Sequence, residues 1–174
     1  ATTIEDMLQP IAGNVLTNDS DVDSGAVLRV AAAGDYVGAY GTLALEADGS
    51  YGYRLDNDSL AVQSLAGGSS AVDHFAYAVT DGLAAVDSAL DVTVQGTNDA
   101  PVTVDDADIV VEDWLTVATG NVLANDTDVD QGTVLKVADP GSFAGEYGSL
   151  VLAADGSYSY SLDNSAVKIQ SLGR

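Results

Sequence analysis

One stretch decides the fold: Leu43-Ala44-Leu45-Glu46-Ala47-Asp48-Gly49-Ser50-Tyr51-Gly52-Tyr53-Arg54-Leu55. Apolar side chains alternate along the chain into the Asp48-Gly49 pair and alternate again out of it as far as Leu55. A period of two places side chains on one face of a strand, and Asp-Gly is a strong signal for a tight turn between strands. The stretch therefore predicts an antiparallel β-hairpin with one apolar face.

The rest of the chain carries strand signals of the same kind. Residues 27–32, 75–80 and 89–94 are further strand candidates, and only residues 58–65 suggest a helical turn. Residues 102–111 predict a strand that spans about 30 Å at roughly 3.3 Å per residue. Short strands separated by Gly and Asp turns predict an all-β fold made of tandem immunoglobulin-like, antiparallel Greek-key β-sandwiches.

The chain contains an internal repeat. A shift of 107 residues aligns residues 5–67 with residues 112–174 without a gap, and 35 of the 63 aligned pairs are identical. A period of this length is that of a domain and is too long for a solenoid repeat. The sequence therefore predicts a tandem array of domains.

The polar link Asn98-Asp99-Ala100-Pro101 is the predicted domain boundary, because proline keeps the residue before it extended. The first repeat is then residues 1–97, without the start of its first strand, and the second is residues 98–174. In this register the second repeat stops before its last two strands, the counterpart of residues 69–94. We expect its open sheet edge to be a candidate for strand exchange, between the two units or with a neighbouring molecule.

Composition limits the class of protein. The 27 Asp and Glu residues outnumber the 5 Lys and Arg residues, for a formal net charge of -22. A field of this sign repels phosphate, so neither nucleic acid nor an anionic membrane surface is an expected partner. Membrane insertion is not expected either, because the sequence has no run of eighteen apolar residues. A hydrophobic fraction of 47% is enough to fill a core, and the absence of cysteine excludes disulfides, thiolate zinc sites and a cysteine nucleophile.

The acidic residues form clusters at regular spacing. Asp19, Asp21 and Asp23 alternate along one loop, and Asp126, Asp128 and Asp130 alternate in the same way in the second repeat. Close carboxylates repel one another by about 1–4 kcal/mol per pair at a protein surface. Calcium binds six to eight oxygen ligands and would offset this repulsion, so calcium is the predicted cofactor. The alternative is a solvated acidic turn; an EF-hand is rejected because no bidentate Glu follows.

Several motifs together resemble the cadherin superfamily, and in particular the VCBS-type, cadherin-like tandem repeats of secreted or surface adhesins in bacteria. The chain is similar in this respect to the rhizobial adhering proteins. The motifs that carry the resemblance are Glu5-Asp6, Glu112-Asp113, Leu55-Asp56-Asn57-Asp58, Thr80-Asp81-Gly82, Asn98-Asp99-Ala100-Pro101 and Asp128-Val129-Asp130.

The resemblance implies where calcium binds. An inter-domain site would contain Glu5, Asp6, Asp56, Asn98, Asp99, Asp126, Asp128 and Asp130. A second group at the opposite pole of the first repeat would contain Asp19, Asp21, Asp23 and Asp81, and Glu112 would repeat the role of Glu5. Asn57-Asp58 replaces the Arg-Glu of the family, and Ala100 replaces an Asn, so we expect only one to three ions at the junction.

Catalysis is not expected. His74 is the only histidine, and it alternates with Asp73 and Phe75 along a predicted strand. A general base beside Asp73 is the functional alternative, and a residue on the strand surface is the favoured interpretation. No Gly-x-Ser-x-Gly nucleophile motif is present. The sequence therefore predicts a protein that is not an enzyme.

Two functions remain open from the sequence. The first is a secreted or surface adhesin in which calcium stiffens the junction between neighbouring repeats and supports lectin-like binding of acidic exopolysaccharide in a biofilm. The second is a calcium-stiffened spacer with no ligand of its own. The candidate rings for stacking on sugars are Tyr36, Tyr40, Phe143 and Tyr147. The alternative is that these rings pack over the edge of the sandwich. Trp114 aligns with Met7, which favours a tolerant apolar packing site.

Overall fold

The computed structural model describes residues 1–172. Contacts between Cα atoms divide the chain into two compact units. Unit 1 is Ala1–Asp99 together with Val129–Gly132, and unit 2 is Ala100–Asp128 together with Thr133–Arg174. The short segment 129–132 therefore packs with unit 1, although the residues on either side of it belong to unit 2.

Unit 1 is a sandwich of two four-stranded sheets with strand orders β1-β8-β7-β3 and β2-β6-β5-β4. Every strand pair is antiparallel except β1 and β8, which are parallel. This architecture confirms the predicted all-β fold. Its elements are β1 (Thr2–Ile4), β2 (Ile11–Asn14), β3 (Arg29–Val30), β4 (Gly34–Val37), β5 (Gly41–Leu45), β6 (Ser50–Leu55), α1 (Leu60–Gln63), β7 (Ser70–Thr80) and β8 (Ala85–Gln95).

The predicted hairpin forms the centre of the unit 1 core. β5 pairs with β6 in the register Leu45↔Tyr51, and Gly49 closes the turn with a φ of 83° that favours glycine. Inward side chains of both sheets form one cluster, in which the rings of Tyr53 and Phe75 meet edge to face with centroids 5.9 Å apart. Each such large apolar side chain contributes about 1.5–3 kcal/mol through burial.

One carboxylate is part of this core. Asp73 on β7 is only 2% exposed, and it accepts hydrogen bonds from Ala39 N (2.6 Å), Tyr40 N (3.1 Å) and the Tyr53 hydroxyl (2.7 Å). It therefore ties the turn between β4 and β5 to the opposite sheet. His74 lies on the other face of β7, where its Nδ1 is 2.6 Å from Asp91 Oδ1. The alternative of a general base paired with Asp73 is wrong, because neighbouring residues of a strand face opposite sides.

Unit 2 contains a single antiparallel sheet with strand order β10-β11-β12-β9 among its described residues. Each helix of the chain is one turn long, and within residues 1–172 no helix is long and apolar enough to cross a membrane. The elements of unit 2 are β9 (Val117–Asn121), β10 (Gly141–Ala144), β11 (Gly148–Leu152), β12 (Ser157–Leu162) and α2 (Val167–Gln170).

The strand predicted at residues 102–111 does not form. Only isolated bridges occur there, between Val102 and Thr127 and between Val111 and Leu115. Residues 109–111 match β1 of unit 1, whose hydrogen-bonding neighbour is β8. The described residues of unit 2 include no counterpart of β8, so an extended segment has no neighbour to complete its hydrogen bonds.

Candidate metal centres

The first candidate centre is the linker cluster, which we define as Glu5, Asp99 and Asp130. The parallel pairing of β1 with β8 places Glu5 beside the end of β8, where Glu5 N donates to Gln95 O at 2.8 Å. Thr97 N donates to Glu5 Oε2 at 2.8 Å, and Asp99 N donates to Asp130 Oδ2 at 3.0 Å. Three acidic residues from distant parts of the sequence thus converge within unit 1.

Burial makes the negative charge of this cluster costly. Glu5 is 3% exposed and Asp130 is 4% exposed. Burial raises the pKa of Glu5; the bond from Thr97 acts against this, and the negative charges of Asp99, Asp6 and Asp130 add to the rise. Glu5 Oε1 is buried and has no hydrogen-bond donor among residues 1–172. A cation beside Glu5 Oε1 would offset the desolvation and the repulsion together.

Asp6 follows Glu5 of the linker cluster, and its carboxylate accepts a hydrogen bond from Gln63. Its backbone has a φ of 63°, a left-handed conformation that is uncommon for a residue with a side chain. Asp6 N donates to Asn57 Oδ1 at 3.1 Å, and Gln63 Nε2 donates to Asp6 Oδ1 at 3.3 Å. Asp56 and Asn98 are exposed on the adjoining turn and link. Of the residues predicted for this site, Glu5, Asp99 and Asp130 are the ones that converge, with Asp6 as their neighbour.

The second candidate centre is the polar cleft, an opening of about 390 Å³ in unit 1. Three of the four residues that the resemblance groups at the opposite pole of the first repeat, Asp19, Asp21 and Asp81, line it, and Asp87 of β8 lines it as well. Asp19 Oδ2 is buried, and no donor in the described part of the chain reaches it. The pKa of Asp81 is lowered because Ala84 N and Leu83 N both donate to its carboxylate.

Asp23 stands apart from the polar cleft. It is exposed, is not among the lining residues, and donates its backbone N–H to Asp21 Oδ1 at 2.8 Å. This bond from a backbone N–H to the carboxylate two residues earlier is typical of a local turn. The regular spacing of the three aspartates does not place all three at one centre.

The acidic residues predicted in unit 2 are dispersed over that unit. Asp126 Oδ1 accepts a hydrogen bond from Val104 N at 2.8 Å, and Asp128 is half-buried. Glu112 Oε2 is buried without a donor among the described residues, as in the matched Glu5. Beside it, Asp113 repeats the left-handed conformation of Asp6 with a φ of 60° and pairs with Asn164. The recurrence of this arrangement marks it as a property of the repeat.

The donor chemistry of both centres suits a hard cation. Carboxylate oxygens, with backbone carbonyls and water, are the ligands that calcium prefers. Within residues 1–172, however, no three Asp, Glu or His side chains are arranged as a complete metal-binding group. These side chains would supply only part of a coordination shell, so an ion would have to draw carboxylates together and use backbone or water oxygens for the remainder.

The candidate sugar-stacking rings fall into two classes. Tyr36 and Tyr40 are partly buried and pack against the core of unit 1. Phe143 and Tyr147 are 46% and 41% exposed, and Lys168 Nζ lies 5.1 Å from the centre of the Tyr147 ring. Trp114 is 84% exposed, so the expectation of a packed apolar site at this position is wrong within the described residues.

Sequence reasoning missed two contributors to these centres. Asp87 lines the polar cleft because its register opposite Ala78 in the β7–β8 hairpin brings it beside Asp81. Strand alternation in residues 85–95 was the available signal. Thr97 supplies a backbone N–H to Glu5, and a backbone donor has no sequence signature.

Comparison with known proteins gives one match. The family model described as a bacterial cadherin-like domain matches residues 1–96 and again residues 98–172. A search of curated proteins finds no match. The two matched segments together cover nearly the whole chain.

Proposed function

Because the chain belongs to the bacterial cadherin-like domain family, we propose that it is a calcium-binding repeat segment of a secreted or surface adhesin. Domains of this family are typically non-enzymatic repeats of an adhesive or structural kind, extracellular or exposed at the surface. One observation supports calcium above all others. The buried carboxylate of Glu5 has an oxygen without a hydrogen-bond donor among residues 1–172 and faces the charges of Asp99 and Asp130.

The residues of the linker cluster have separate roles in this proposal. Glu5 Oε1 is a ligand, while Glu5 Oε2 stays bonded to Thr97 N, which orients the carboxylate. Asp130 is oriented in the same way by Asp99 N. Calcium, when bound, supplies the positive charge that makes these three acids compatible, of which Glu5 and Asp130 are buried and Asp99 is half-buried. Binding therefore contributes directly to the stability of the residues that form the site.

The chain path gives this centre a mechanical consequence. Residues 129–132 belong to unit 1, although the residues before and after them in the sequence belong to unit 2. A calcium ion bound by Asp130 connects this segment to Glu5 near the amino terminus and to Asp99 in the link. We propose that calcium in this way restrains the link between neighbouring repeats, as the adhesin function requires.

The polar cleft is the second proposed centre, and it carries a prediction of its own. Asp19→Asn should weaken calcium binding at the cleft about tenfold or more, because a buried charged oxygen is lost. Asp23→Asn removes the same charge from an exposed carboxylate outside the cleft and should leave the affinity nearly unchanged. Calcium titration followed by NMR shifts of the Asp81 and Ala84 amides measures both. Equal weakening by the two variants would contradict a centre at the cleft.

Polysaccharide binding is the proposed adhesive activity. With a net charge of -22, the chain has no long-range attraction for an acidic polysaccharide, so calcium would have to bridge the two. The exposed rings of Phe143 and Tyr147 offer stacking surfaces. We expect calcium-dependent retention on immobilised acidic polysaccharide and a retention loss of several-fold on Tyr147→Ser. Val37→Ser, at an apolar position that is 85% exposed, is the control.

Retention separates the adhesin from the spacer. Calcium-dependent stabilisation together with retention on polysaccharide supports an adhesive repeat. Stabilisation without retention on any acidic or neutral polysaccharide would assign the chain to the spacer class, with calcium in a purely mechanical role.

A further inference from the structure

Each unit has a cleft at the same place, beside the hairpin formed by β5 and β6 or by β11 and β12. The cleft of unit 1 has a volume of about 410 Å³, and that of unit 2 about 520 Å³. Four lining positions match 107 residues apart: Thr42, Arg54, Leu55 and Asp56 in unit 1, and Ser149, Ser161, Leu162 and Asp163 in unit 2. The cleft is therefore a property of the repeat.

The two clefts open on the outer face of their sheets. Thr42 pairs with Arg54 across β5 and β6. The matched pair in unit 2 is Ser149 with Ser161, across β11 and β12. Tyr53, next to Arg54 in the strand, points into the core and is 1% exposed. Because successive residues of a strand alternate between faces, Arg54 and its partner Thr42 lie on the side that a ligand can reach.

Each cleft contains one cation, and the two cations come from different positions of the repeat. In unit 1 the cation is Arg54 of β6, where unit 2 has Ser161. In unit 2 the cation is Lys168 of α2, where unit 1 has Ala61. The chain has only 5 Lys and Arg residues. The positive charge at the cleft is thus kept while the residue that supplies it changes, which indicates a requirement for the charge itself.

Neither cation is neutralised by an acid, although the chain has a net charge of -22. Arg54 forms no ion pair and no side-chain hydrogen bond with any residue of the range 1–172. Lys168 forms no ion pair in that range either, and its Nζ lies 5.1 Å from the centre of the Tyr147 ring. A cation above a ring keeps its N–H donors for other partners. Both cations are therefore available to an anionic group.

A carboxylate lines each cleft together with the cation. Asp56 in unit 1 and Asp163 in unit 2 occupy the same position of the repeat, and both are exposed. A neutral sugar would leave the cation unpaired, and an anion without hydroxyl groups would only be repelled by the aspartate. A sugar that carries a carboxylate suits both groups, because its acid pairs with the cation and its ring hydroxyls donate to the aspartate.

We infer that each repeat carries a subsite for one uronate residue of a polysaccharide. Arg54 in unit 1 and Lys168 in unit 2 pair with the sugar carboxylate. Asp56 and Asp163 accept hydrogen bonds from its ring hydroxyls. The volumes of the clefts lie in the range of small-ligand sites. This inference rests on the polysaccharide binding proposed above, and it assigns the contact to side chains of the chain itself, without an intervening calcium ion.

Titration of the full chain with tetragalacturonate in chelator tests the subsites, because chelator removes any calcium bridge. Amide NMR shifts of residues 54–58 report on unit 1, and those of residues 161–168 report on unit 2. Arg54→Ser should weaken binding in unit 1 about five- to tenfold and leave unit 2 unchanged, and Lys168→Ala should do the reverse. Each substitution introduces the residue that the other repeat has at the matched position, so the fold accommodates it.

Two controls separate the subsites from general charge effects. Arg29→Gln removes a cation of β3 that lies outside both clefts, and it should change neither affinity. Tetragalacturonate with its carboxyl groups reduced to alcohols is neutral and should bind at least several-fold more weakly. Equal binding of this neutral oligosaccharide would overturn the inference. So would the absence of shifts in both clefts, or affinities that Arg54→Ser and Lys168→Ala leave unchanged.

Failure of the subsites is distinguishable from failure of the adhesive function. Retention of the calcium-loaded chain on acidic polysaccharide that persists in full when Arg54→Ser and Lys168→Ala are combined overturns the subsites and leaves the adhesin. Binding of tetragalacturonate in both clefts by a chain that polysaccharide does not retain supports the subsites and contradicts the adhesin.

Discussion

Replacing Asp73 by alanine is expected to destabilise unit 1 by about 3–5 kcal/mol, a large part of the stability of a small domain. The substitution leaves two backbone N–H groups and the buried Tyr53 hydroxyl without their acceptor. Each unsatisfied buried donor costs about 1–3 kcal/mol. The turn between β4 and β5 should detach from β7. The added mobility should extend into β5, which pairs with β4.

Variants of Tyr53 and Asp73, singly and together, show which hydrogen bonds cause the loss of stability. Tyr53→Phe removes one donor and keeps the ring, so it should cost about 1 kcal/mol. Because Tyr53 and Asp73 share a hydrogen bond, the double variant should be less destabilised than the sum of the single variants. Urea unfolding followed by the NMR amide signals of residues 70–80 measures unit 1 separately, whereas the eight tyrosines are divided between the two units.

Asp91→Asn is the control for the loss of an acid from the same hairpin. Asp91 is exposed on β8 and pairs with His74 at the surface, where such pairs contribute little. Its substitution should change the free energy of unfolding by less than about 0.5 kcal/mol. An Asp73→Ala variant as stable as Asp91→Asn would show that the buried carboxylate does not hold the turn.

Calcium is expected to produce the second large effect. At a calcium concentration about 100 times the dissociation constant, binding to the folded state should add about 2.7 kcal/mol to the free energy of unfolding. For a domain of this size that raises the melting temperature by roughly 10 °C or more. Removing the ion with chelator should reverse the shift. Thermal unfolding of the dialysed chain with calcium, and with magnesium for comparison, measures it.

The effect of Glu5→Gln on the free energy of unfolding should differ in sign between the calcium-free and the calcium-bound chain. Without calcium, the variant removes a desolvated charge that faces Asp99 and Asp130, so it should be at least as stable as the natural sequence. With calcium, it loses a charged ligand, and the added stability should fall below about 1 kcal/mol. Glu46→Gln makes the same charge change at an exposed position and should keep the full calcium response. A uniform loss of stability in Glu5→Gln, with or without calcium, would instead indicate a purely structural role.

The sequence was sufficient for the parts of the fold that depend on local patterns. Alternation around Asp48-Gly49 predicted the β5–β6 hairpin, and the 107-residue repeat predicted two similar units. It was insufficient where a strand depends on a neighbour. Residues 102–111 have an apolar pattern like that of a strand, yet they form only isolated bridges because no counterpart of β8 lies beside them.

The same distinction holds for the candidate site. The resemblance to the cadherin superfamily pointed to Glu5, Asp99 and Asp130, which the fold brings together across more than a hundred residues of sequence. Spacing also suggested Asp23, which is exposed, donates its backbone N–H to Asp21 and is not among the residues that line the cleft. Asp73 was considered only as a partner of His74. Its burial depends on which face of β7 is inward, and alternation alone leaves that choice open between two faces of mixed polarity.

Calcium titration by calorimetry, on the metal-free chain and on Glu5→Gln, tests the central claim most directly. The account predicts binding to the natural chain with a dissociation constant of about 10⁻⁴ to 10⁻³ M, typical of extracellular modules. It predicts that one binding event disappears in Glu5→Gln while binding at the polar cleft persists. A titration of the natural chain without calcium heat, or an unchanged isotherm for Glu5→Gln, would contradict it.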